Sequence, residues 1–101
     1  KNVDAPNQSG AYDAAYRRLF QFYMAGMAHA TDPFEVAAVI HHAVTTDEPE
    51  LRYAVSWGGR ELVEGRARMS DQDWVALGAH EDDDEYYDDF AARFDLDLRQ
   101  L

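Results

Sequence analysis

Thr31-Asp-Pro-Phe-Glu-Val-Ala-Ala-Val-Ile-His-His-Ala-Val-Thr-Thr-Asp-Glu-Pro-Glu-Leu-Arg-Tyr-Ala-Val-Ser-Trp57 carries a helix, a turn and a strand signal, in that order. Asp32 suits the N-cap, because its carboxylate can accept from the free amide hydrogens of the first turn. Pro33 follows at the first helical position, where a missing N–H costs nothing. Glu35 stands at the capping-box spacing from Asp32, and its charge suits the positive end of the helix dipole. Val36, Val39, Ile40, Ala43 and Val44 then form one stripe at helical period. Pro49 stops the helix. Beyond it Leu51, Tyr53, Val55 and Trp57 alternate with Arg52, Ala54 and Ser56, which predicts a β-strand over 51–57 ended by Gly58-Gly59.

That strand is isolated. Its backbone N–H and C=O groups need ladder partners, which one strand cannot supply to itself. Within the chain only Phe94-Asp95-Leu96-Asp97-Leu98 alternates in a similar way. The partner therefore comes either from that segment or from outside the chain.

Working outward, residues Lys1 to Gly10 are rich in turn formers and read as a loop. Ala11 to His29 is a long helical candidate, with Tyr12, Tyr16, Leu19, Phe20, Tyr23, Met24 and Met27 at three- and four-residue spacing. Arg17 and Arg18 lie between apolar residues and are expected to reach solvent, and Gly26 weakens the helix. Arg60 to Met69 is a short amphipathic helix that Gly65 is expected to bend or end early. Ser70 looks like an N-cap with Asp71 and Asp73 in the first turn, and its helix carries Trp74, Val75 and Leu77 as far as Gly78. The acid run Glu81 to Glu85 leads into a final helix bearing Tyr86, Tyr87, Phe90 and Phe94.

Composition narrows the function classes. The 101 residues make one domain at most, and 47% hydrophobic content with 13% aromatic is globular. No apolar run is long enough for a membrane span, and no signal peptide is visible. The absence of cysteine removes disulfides, thiolate nucleophiles and cysteine-based zinc sites, and is compatible with a cytoplasmic protein. A formal net charge of −11 repels a phosphate backbone and argues against nucleic-acid binding.

No motif marks a self-sufficient active site. The acid run fails the EF-hand pattern, because Tyr87 and Arg93 stand where its Gly and Glu belong. His41 and His42 are adjacent, so a helix points them about 100° apart, poor geometry for one metal. Trp57-Gly58-Gly59-Arg60 has neither the dinucleotide fingerprint nor a P-loop ending, and reads as a turn. Ser9, Ser56 and Ser70 lack a nucleophile-elbow context. The Tyr- and Met-rich stripe of Ala11 to His29 suits either core packing or an adaptable apolar pocket.

Asp32-Pro-x-Glu-Val-Ala, then Ile40 and Ala43, then Pro49-x-Leu-Arg-Tyr-Ala-Val resembles the last crossover helix and last strand of short-chain dehydrogenases/reductases. The resemblance extends to a longer tail found in some bacterial members. It is carried there by Gly65-Arg-Ala-Arg-Met-Ser-Asp, Asp73-Trp-Val-Ala-Leu-Gly-Ala and Tyr86-Tyr…Phe90…Phe94, and upstream by Tyr16-Arg-Arg-Leu-Phe. One departure stands at Asp95, where Gly would be expected after Phe94.

The resemblance implies an α/β fold: the C-terminal fragment of a Rossmann-like three-layer architecture, mostly helical, with one strand at about 51–57. Residues 1–30 would be a loop and substrate-lid helix, 31–57 the last crossover helix and edge strand, and 58–101 a helical C-terminal extension. The full-length enzyme would use NAD or NADP on a carbonyl or alcohol substrate. The family's Tyr-x-x-x-Lys pair and fingerprint glycines have no counterpart here, and the only Lys is Lys1. Catalytic and cofactor residues would therefore lie upstream, leaving this chain inactive alone and binding no cofactor. Tyr12, Tyr16, Phe20, Tyr23 and Met27 would contact substrate. The upstream Rossmann portion would be a partner, and a homo-oligomer would form through helix 33–46 and strand 51–57. The competing expectation is a self-standing acidic helical protein-interaction module.

Overall fold

The computed structural model describes residues 9–101 and consists of five helices: α1 Asp13–Ala28, α2 Pro33–Thr45, α3 Gly59–Arg68, α4 Asp71–Gly78 and α5 Asp83–Phe94. Their starts follow the capping chemistry of the sequence. The Asp32 carboxylate accepts from the Phe34 amide at 2.9 Å, with Pro33 in the first turn. Ser70 and Asp73 form a reciprocal capping box on α4. Asp82 accepts from the Glu85 amide at 3.0 Å and starts α5.

No β-strand exists among the described residues, and the α/β expectation is corrected: the fold is all-helical. The segment 51–57 is where sequence and structure part. Its side chains alternate only from Tyr53 onward, with Tyr53, Val55 and Trp57 half-buried and Ala54 and Ser56 exposed, while Leu51 is 86% exposed. Leu51 to Val55 nevertheless makes no backbone hydrogen bond among the described residues, so there is no ladder. Ser56 then takes a left-handed conformation, φ 75°, which turns the chain before Trp57. Period alone cannot make a strand without a neighbour.

Phe94 to Leu98 is not that neighbour. The same alternation is used for packing, with Phe94, Leu96 and Leu98 buried and Asp95 and Asp97 facing outward. These three side chains join Phe90, Leu77 and Ala25 as the core. The core sits mainly where α3 and α4 meet α5. Gly65 does not break α3. It lies buried against Phe94, and its missing side chain lets the two helices approach closely.

Helix α1 reaches this core through one face only. Ala25 is buried, Phe22 packs alongside, and the Gln21 side-chain amide donates to the Leu98 carbonyl at 2.6 Å. Arg18 does not reach solvent as expected. Its guanidinium is buried, donates to Asp83 at 2.9 Å and to the His80 carbonyl at 2.8 Å, and lies over the Tyr86 ring. Helix α2 contributes no buried residue at all. No described helix is long and apolar enough to cross a membrane.

Candidate interaction surfaces

The side chains expected to contact substrate share one face of α1, and that face is open. Tyr12, Tyr16, Phe20, Tyr23 and Met27 are 55–73% exposed. Their spacing of four, four, three and four residues sets them in a line along the helix. Leu19 and Met24 widen the same surface. The stripe was readable as core or as binding surface; the core in fact takes the opposite face, through Phe22 and Ala25.

The two arginines of α1 reach away from this stripe toward α5. Arg17 and Arg18 both donate to Asp83, at 3.0 and 2.9 Å. The two guanidiniums hold the Asp83 carboxyl below its ordinary value, Arg17 being the larger cause, and Asp83 in turn raises the Arg17 guanidinium. Burial raises the Tyr86 phenol, which packs beneath Arg18. The acid run thus opens α5 and fastens α1 to it. Among the described residues no cluster of His, Asp and Glu could hold a metal ion.

A second apolar surface lies on α2 and beyond. Phe34, Ile40, Val44 and Leu51 are 60–86% exposed. The sequence stripe of α2 is split by the structure: Val36, Val39 and Ala43 are half-buried, while Ile40 and Val44 point out. The segment after α2 is pinned by side chains. The Tyr53 hydroxyl accepts from the Glu50 amide at 2.8 Å, and its ring meets His42 edge-on.

A cleft of about 630 Å³ separates the start of α2 from residues 54–57 and the start of α3. Its floor is Trp57, stacked on the His29 ring at 5.3 Å. The Trp57 amide donates to the Thr31 hydroxyl at 3.0 Å, and His29 Nδ1 donates to the Ala25 carbonyl at 2.9 Å. Nothing in the residue pattern announced this cleft, because it depends on Thr31 and Trp57, 26 positions apart, meeting. Although Gly58 and α3 resemble a phosphate-binding turn, Asp32, Glu35 and Glu61 line the cleft against Arg60 alone. So acidic a lining disfavours a diphosphate.

The chain matches no family model, no curated protein and no solved structure.

Proposed function

We propose that the chain is the substrate-lid and oligomerisation part of an NAD(P)-dependent short-chain oxidoreductase acting on a carbonyl or alcohol substrate in the cytoplasm. The observation that carries this reading is the exposed line of Tyr12, Tyr16, Phe20, Tyr23 and Met27, an adaptable apolar surface on a helix tied down along its other face. Such a helix can close over substrate and exclude water while the reaction proceeds elsewhere. The sequence resemblance names the enzyme class. Catalytic and cofactor residues then belong to an upstream portion of the polypeptide. The exposed Phe34, Ile40, Val44 and Leu51 suit contact with that portion or with a second copy, and this role needs no strand in the chain.

The direct test is the upstream reading frame together with two preparations. The frame should encode a Gly-rich turn and a Tyr-x-x-x-Lys pair. The longer product should oxidise NADH or NADPH with a carbonyl substrate, whereas the isolated 101 residues should bind neither nucleotide. A methionine start directly before Lys1, or tight nucleotide binding by the isolated chain, would sink the reading. A second reading, an acidic helical interaction module without catalysis, draws support from the all-helical fold and from a core that Leu77 of α4, Phe90 and Phe94 of α5 and Leu96 and Leu98 of the tail build together with Ala25 of α1. The methionine start would favour it.

A further inference from the structure

We infer that the groove between α2, residues 50–54 and α3 is a binding site for a small aromatic monocarboxylate, held by Arg52 and Arg60. This site is independent of the oxidoreductase reading. The groove measures about 720 Å³, within the roughly 300–1,000 Å³ of small-molecule sites. Ala38, Val39 and His42 line it from α2, and Arg60, Val63 and Glu64 from α3, each set at the spacing of one helix face. Arg52 and Tyr53 close it from the connecting segment. The exposed Ile40 and Val44 stand about 200° round α2 from Ala38 and His42, two residues away in each case. A neighbour seated on Ile40 and Val44 therefore leaves the groove open.

The arginines decide the class of ligand. Arg17, Arg18, Arg66, Arg68, Arg93 and Arg99 each pair with a carboxylate. Arg52 and Arg60 make no ion pair or hydrogen bond among the described residues, and both line this groove. Arg60 also borders the cleft of Asp32, Glu35 and Glu61, yet bonds to none of them. A guanidinium presents its N–H donors in a planar fork that matches a carboxylate. The acids in the lining limit the charge a ligand can bring. Glu64 is engaged by Arg68, whereas Glu50 has no ion pair among the described residues. With that lining and a net charge of −11, a polyanion is repelled more than a single carboxylate. The rest of the molecule meets Ala38, Val39 and Val63, and an aromatic wall where the His42 and Tyr53 rings join edge-on at 5.8 Å.

The test is calorimetry on the 101-residue chain and, where the reading frame extends upstream, on the longer product. The probes are 2-naphthoate, 2-naphthamide and inorganic phosphate. Naphthoate should bind at least about tenfold more tightly than the amide, which keeps the rings and loses the charge. Phosphate should bind more weakly than naphthoate. Arg52→Gln and Arg60→Gln should each weaken naphthoate about tenfold, and Arg60→Lys, which keeps the charge and loses the fork, should fall between. Both arginines are exposed and unbonded, so circular dichroism should be unchanged by these substitutions. No saturable binding of naphthoate, equal affinity for the amide, tighter binding of phosphate, or affinity untouched by both arginine substitutions would overturn the site. Binding by the 101-residue chain that vanishes in the longer product would also overturn it, because the upstream portion would then fill the groove. So would a dimer in sedimentation that Val63→Arg dissolves, since the groove would then belong to a second copy.

Discussion

Single residues decide how α3, α5 and the tail fit together, and two glycine-related positions test it in opposite directions. On propensity alone Gly65→Ala should stabilise the middle of α3 by roughly 1 kcal/mol. The added methyl would instead meet the Phe94 ring and come to 3.0 Å from the Arg93 carbonyl. Backbone and a buried ring cannot yield cheaply, so overpacking at about 1–3 kcal/mol outweighs the propensity gain. Gly65→Ala is expected to lower the midpoint of urea unfolding; a raised midpoint would show that α3 and α5 stand further apart. Asp95 is the reverse case. It ends α5 at φ 55°, in the left-handed region where glycine rests without strain. Asp95 thus stands, where the sequence reading expects Gly, in a conformation that Gly would favour. Asp95→Gly should stabilise by up to about 1 kcal/mol, since Asp tolerates this region better than most residues but still at a cost. Thermal unfolding checks it, and an unchanged or lower Tm would count against the strain argument.

At the scale of elements, caps were legible and partners were not. Asp32, Ser70 and the acid run fixed the starts of α2, α4 and α5 through contacts made within a few residues. Such local chemistry reads directly from sequence. The strand at 51–57 failed because its ladder would have been a long-range fact, and alternation says which side chains share a face without saying that hydrogen bonds exist. Phe94 to Leu98 makes the same point from the other side: its alternation sorted buried from exposed residues correctly and produced no sheet. Arg18 was placed in solvent because nothing nearby in sequence pairs with it; its carboxylate stands 65 positions away. The α1 line was visible as a line, yet whether it faced core or solvent depended on α5 and the tail covering the other side. Helix α2 shows what weak tertiary support implies. It buries no residue, while α5 buries Phe90 and Phe94. Most helical stability comes from packing of the apolar face. In the isolated chain the amides of α2 should therefore exchange with deuterium well before those of α5, through local opening that leaves the core intact. Equal protection of the two helices would contradict this.

Over the whole molecule, charge is distributed so that a strongly acidic chain holds together through its arginines. Asp83 is held low by hydrogen bonds from Arg17 and Arg18, Asp89 by His80 and then Arg93, Asp97 by the Arg99 amide and side chain, and Asp73 by Ser70. These contacts join α1 to α5, and the tail to α5 through Arg99 and Asp88. A carboxyl depressed in the folded state contributes stability that is full above its unfolded value, near 3.9, and disappears as pH falls through the folded value. Opposing this, the net charge of −11 repels itself at neutral pH, and protonation relieves that repulsion. At about 0.15 M salt the distant repulsion is screened within roughly 8 Å, whereas directly bonded pairs are screened much less. The pairs should therefore govern the acid limb. Asp83→Asn isolates the effect, because the amide keeps the shape and removes the charge. The stability difference between wild type and Asp83→Asn, from urea unfolding at constant salt, should be level from pH 7 to about 5. It should narrow below about pH 4 as the wild-type carboxyl takes up its proton. A difference that stays constant down to pH 2 would mean that the ionisation of Asp83 does not carry the contact, Arg18 then being held by the carbonyl of His80 and the ring of Tyr86.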